Sequence, residues 1–236
     1  MKKTITIPED LYDVTLGQYQ AIQAIPEGDE FRQVVETICI LCHLTEEEVM
    51  GMEQKDIEHI GGVIGGILDK YDDDYPVERI IELDQRYGFH PNLSRILVAE
   101  FADIETLCND SYEKNLAQVM GILYRPIVEQ HGEFYRIEDY DGEDRSEYFK
   151  DMKLAHALGA AAFFLRTAKR LADAMDSYSK AVADPNYPRN TDGSPRSYIS
   201  QGRILLNYRR WKGLTSRRPS LGSLTSRIGR FWKSKK

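Results

Sequence analysis

Two thiols and an imidazole stand within five residues, at Cys39, Cys42 and His43 in the run CILCH. That spacing is the one by which c-type haem is attached, with the thiols for the porphyrin and the histidine for the iron. The neighbouring residues offer a second reading. Val34, Val35, Ile38, Leu41, Cys42 and Leu44 recur at steps of three and four, the period of a helix that buries one side. On such a helix Cys39, Cys42 and His43 fall on neighbouring turns of one face, which suits a ligand set and a core stripe equally. Free cysteine is among the most buried residue types. Haem attachment also requires an oxidising compartment, and the start MKKTITIPEDLYD has two lysines without an apolar region behind them. Zinc would need a fourth ligand from Cys108, His59 or His90, at no recognised spacing. The expectation is packing residues in a reducing cytosol, with no metal, no cofactor and no disulfide framework.

No other cluster proposes catalysis. The five histidines show no His-Glu-x-x-His spacing, and no serine sits in a Gly-x-Ser-x-Gly elbow. Glu46, Glu47 and Glu48 are adjacent and splay around a helix axis. His156 lies beside a helical seam, where a core or surface histidine is the ordinary reading. In IGGVIGGIL the glycines 61, 62, 65 and 66 precede no Lys-Ser/Thr pair and follow no strand, so they read as a smooth stripe for close backbone approach. Asp69, Asp72, Asp73 and Asp74 lack the alternation and glycine of a calcium loop and read as a charged turn. The expected class is therefore not an enzyme.

The elements that would position these residues are mostly helices. TITIP alternates as a short strand would. Helices are expected from Thr15 to Pro26, from Glu30 to Leu44, after the Thr45/Glu48 capping box, and from Gln54 to Lys70. VERIIEL and YGFHP read as two strands around a tight turn; NLSRILVAEFADIETL and YEKNLAQVMGIL read as helices, the second broken at Pro126; EFYRIEDY alternates as a strand. From Tyr148 to Val182, Leu154, Leu158, Ala161, Leu165, Ala168, Ala172 and Met175 step by four and three, one narrow seam for a partner helix. The fold expected is mainly α with a small β element, an α+β body. It divides into residues 1–75 (strand and helices), 76–145 (hairpin and helices), 146–184 (long helix on the body), a linker at 185–197 and a basic extension at 198–236. The longest apolar stretch, Ala157 to Leu165, is half of what a membrane span needs.

Charge is divided unevenly. After Ser197 there are eleven lysines and arginines and no acid, which leaves 20 basic against 38 acidic residues in the first 197, a balance of −18. Such a tail meets something anionic: nucleic acid, a membrane surface, or an acidic protein, a second copy included. Arg209, Arg210, Trp211, Arg217, Arg218, Arg227, Arg230, Phe231, Trp232 and Lys233 would form the contacts, with Leu221, Leu224, Ile228 and Phe231 spaced as one helical side.

Three segments in serial order, TLGQYQ, YGFHPNL and MGILYRPI with Tyr135, Ile137 and Tyr140 after it, resemble a family of tailed-bacteriophage virion-morphogenesis proteins. The resemblance covers about residues 4–180 and leaves out the basic extension. It implies a non-enzymatic tail assembly chaperone acting in the host cytoplasm on phage structural proteins, or a minor component retained in the virion, whose basic tail touches neighbours or DNA. It brings no catalytic residues.

Overall fold

The computed structural model describes residues 4–26, 28–69 and 75–183. Local capping fixes the first helices. The Thr15 hydroxyl accepts from the Gln18 N–H at 3.2 Å and the Gln18 carboxamide oxygen accepts from the Thr15 N–H at 2.9 Å, which opens α1 (Leu16–Gln23). Asp29 caps α2 (Glu30–Cys42), Thr45 and Glu48 form the reciprocal box of α3 (Glu46–Met50), and α4 (Gln54–Asp69) follows. Their apolar sides, among them Leu16, Val34, Ile38, Ile57 and Ile64, meet in one core.

The second half mixes a sheet with helices. Strands β1 (Ile80–Glu82), β2 (Arg86–Phe89), β3 (Tyr124–His131) and β4 (Phe134–Ile137) form one antiparallel sheet in the order β1-β2-β3-β4. Between β2 and β3 lie a 3-10 turn (Leu93–Arg95), α5 (Val98–Ser111) and α6 (Leu116–Leu123). After β4 come α7 (Ser146–Phe149) and the 30-residue α8 (Leu154–Ala183). The described residues thus form a mixed α+β fold with a helical majority.

Several expectations are corrected. Thr4–Ile7 pairs with no strand; Ile5 and Ile7 only pack on the core. The helix expected across NLSRILVAEF is interrupted, because Ile96 and Leu97 are extended and the Glu100 carboxylate takes the Leu97 N–H at 2.6 Å as a new helix start. Pro126 does not mark a loop. The chain passes from α6 into β3 without one, and Pro126 sits inside β3 opposite Tyr87. Its carbonyl accepts from the Glu138 N–H at 3.0 Å, at the far end of the β3–β4 pairing, so the donor that proline lacks is missed once only. The long helix begins at Leu154, with Tyr148 on a separate turn.

The glycine stripe of α4 is also not a contact: a Cβ on Gly62 or Gly66 would meet nothing within 4 Å. Close approach occurs instead at two other glycines. A Cβ on Gly159 of α8 would lie 2.7 Å from the Pro76 carbonyl oxygen and 2.8 Å from that of Tyr75. A Cβ on Gly88 would lie 2.5 Å from the Tyr135 ring, which reaches over β3 to cover that position.

Candidate functional site

The thiol cluster does not converge. His43 ends α2 as its cap with φ 53° and ψ 44°, a left-handed conformation that swings the ring off the face carrying the cysteines. The ring is exposed and its Nε2 lies 3.4 Å from the Gln18 side-chain nitrogen. Cys42 and Cys108 are buried and Cys39 is half-buried, all as free thiols. Burial raises the Cys39 thiol above its ordinary range, with Glu46 adding to the rise, and burial does the same to Cys42. Both favour the unreactive thiol form. Among the described residues no three His, Cys, Asp or Glu side chains are grouped as a metal would require.

The kinship segments do converge. YGFHPNL supplies β2 and the 3-10 turn, MGILYRPI supplies the end of α6 and the start of β3, and Tyr135 and Ile137 lie on β4, so three stretches distant in sequence become adjacent strands. Their aromatic residues close long-range bonds. The Tyr135 hydroxyl donates to the Phe89 carbonyl at 2.7 Å, the Tyr124 hydroxyl donates to the Glu78 carbonyl at 2.6 Å, and the Tyr140 hydroxyl donates to the Asp103 carboxylate. TLGQYQ forms the start of α1, where the Leu16 and Gly17 N–H groups donate to the Met152 and Lys150 carbonyls at 2.8 Å each.

Behind this sheet lies a buried charge cluster that sequence reasoning missed. Glu100 is 1% exposed and Arg125 4%. Arg125 Nη1 donates to Glu100 Oε1 at 2.7 Å, while Glu100 Oε2 takes the Leu97 N–H. His90 Nε2 stands 3.7 Å from the same Oε2, and its Nδ1 accepts from the Asn92 N–H at 3.3 Å. Burial pulls the His90 imidazole below its ordinary range; Glu100 opposes this and Arg125 reinforces it. The Arg125 guanidinium also lies 5.8 Å from the centroid of the Tyr140 ring. The available signal was an acid at helical spacing among apolar residues in VAEF, and an arginine enclosed by Tyr124 and Pro126.

Three clefts open on this body. The largest, about 490 Å³, runs between β2 and α8 and is lined by Val77, Phe89, His90, Leu93, Tyr135 and Phe163. A second, about 370 Å³, lies between α1 and α2. A third, about 250 Å³, is lined by Asp103, Tyr140, Glu143 and Asp144 over Leu107 and Ile122. Apolar side chains also stand in solvent, foremost Phe134 at the tip of the β3–β4 hairpin (84% exposed) and Val128 (45%).

Of the seam residues, Leu154, Leu158, Ala161 and Ala168 are buried in the core and Leu165 partly so, while the side chain of Ala172 lies outside the described residues. Ala155, Ala157 and Ala160 are buried beside them, so the first half of α8 is covered over a wider arc than one narrow seam. Arg209, Arg210, Trp211, Arg217, Arg218, Arg227, Arg230, Phe231, Trp232 and Lys233 lie outside the described residues, as do Asp72, Asp73 and Asp74. No described helix is long and apolar enough to cross a membrane.

No protein-family model, no curated protein and no solved structure matches this chain. The phage resemblance therefore rests on the motifs quoted above.

Proposed function

We propose that this chain is a non-enzymatic tailed-phage assembly protein, of the tail assembly chaperone kind, which holds other virion subunits in the host cytoplasm through its surface. The observation that carries this reading is the projecting β3–β4 hairpin. Its tip presents Phe134 almost fully to solvent with Val128 exposed on the same arm, and a solitary large apolar tip of this kind serves as an anchor for another protein. The nearby cleft beside Phe163 offers a matching concave feature. In support of the family likeness, the shared motifs become one sheet and its supporting bonds, as expected of residues that preserve a scaffold.

Affinity capture from infected cells tests the proposal. The full chain should retain a phage structural protein, and Phe134→Asp with Val128→Asp should weaken capture by roughly tenfold or more, the loss expected when one large apolar side chain is no longer buried. Capture unchanged by the double substitution would refute the hairpin as the binding element. Purified virions analysed by mass spectrometry should lack the chain. Stoichiometric copies there would replace the chaperone reading with that of a retained structural component whose basic segment touches neighbours or DNA.

A further inference from the structure

The groove between α1 and α2 has an apolar floor of Ala21, Ala24, Ile25 and Ile40, and acids at its edge, Glu36 and Glu46. Two alanines on one wall leave room for a helix to come close, and the acids select one whose apolar side is edged by cations. The chain carries such a sequence. Leu221, Leu224, Ile228 and Phe231 step by three, four and three, Arg227, Arg230 and Lys233 fall between them, and no acid occurs after Ser197.

Reach permits the match. The start of α1 is tied to the start of α8 by the Leu16 N–H to Met152 carbonyl bond and the Leu154 N–H to Val14 carbonyl bond, both 2.8 Å. The end of α8 then stands about 45 Å from that corner at the helical rise per residue. The 35 residues from 184 to 218 reach on the order of 115 Å when extended and about 30 Å on average as a flexible chain.

We propose that the groove between α1 and α2 is the docking site for this chain's own segment 219–233, with its leucines and isoleucine on the alanine floor and its cations against Glu36 and Glu46. This goes beyond the assembly reading and does not depend on it. Docking in cis makes the acidic body the resident partner of the basic segment, and an external anionic partner must displace it.

Cys39 lines the groove, whereas Cys42 and Cys108 are buried, so native thiol labelling reads the groove directly. A tether supplies an effective concentration on the order of a millimolar, so a segment of about 0.1 mM intrinsic affinity is docked roughly ten to one and shields Cys39 about tenfold. The full chain should label that much more slowly than a full chain carrying Leu224→Asp and Ile228→Asp, changes that touch no residue of the core. The protection should not vary with protein concentration. In a Leu224→Cys variant, a short bismaleimide should join that cysteine to Cys39 within one monomer. Equal labelling rates, protection that grows with protein concentration and so reveals a second copy in the groove, or a failure to form the internal link would each overturn the proposal.

Discussion

The helical end, α1 to α4, and the sheet end, β1 to β4 with α5, satisfy their polar groups over different distances. At the helical end partners lie two to four residues apart: Thr15 with Gln18, Asp29 with Phe31, Thr45 with Glu48, and the Thr37 hydroxyl with the Gln33 carbonyl at 2.7 Å. At the sheet end the bonds of Tyr124 to Glu78 and of Tyr135 to Phe89 each span 46 residues, and Glu100 finds its cation on β3. Local partners form with their own helix and fail singly. Distant partners form only when the whole sheet end is assembled, so removing one leaves the other buried and uncompensated.

The largest expected effect follows from that difference. Glu100→Ala strands the Arg125 guanidinium and should cost about 3–5 kcal/mol in chemical denaturation, while Glu100→Ala with Arg125→Met should recover more than half. A single-variant loss no greater than that of a helix cap would break the comparison. Gly159→Ala forces a methyl against two carbonyl oxygens and should cost about 1–3 kcal/mol, read as a lower Tm. Thr45→Ala removes one local cap and should cost about 1 kcal/mol, without altering the sheet end's amide exchange. Gly62→Ala and Gly66→Ala have open space and should each stabilise by about 0.5–1 kcal/mol.

The smallest expected effect is a pH slope. Burial depresses His90 and His156 in the folded chain, so as pH falls the unfolded chain takes up these protons first. Their contribution is intact above about pH 6.5, the ordinary histidine value, and drains away as pH falls toward the depressed values. Facing His90 are Glu100, which favours protonation, and Arg125, which opposes it. His90→Gln should flatten the fall of Tm between about pH 7 and 5; an unchanged slope would place the sensitivity elsewhere.

The same contrast explains what could be read in advance. The helices α1 to α4 were legible because cap and stripe lie within a few residues of each other, as with Thr45 and Glu48. The β1–β2 hairpin was legible from its alternation. Strand β3 was not, because Pro126 is a stop signal in isolation and becomes tolerable only at the end of a ladder that β4 completes. The cysteine run misled in geometry, since nothing in five letters shows that His43 turns left-handed and leaves the helix. The ion pair of Glu100 and Arg125 joins residues on separate elements, beyond the reach of any periodicity.

The pairing of β3 with β4 slips between Ile127 and Glu129. Such a slip reverses which side of the ribbon each later residue occupies. Residues 128–134 are thereby uncoupled from the alternation that seats Tyr124 and Ile137 in the interior. The outer hairpin works as an interchangeable bit on a fixed shank: its letters can be rewritten, and with them the choice of binding target, while the interior of the protein registers no change.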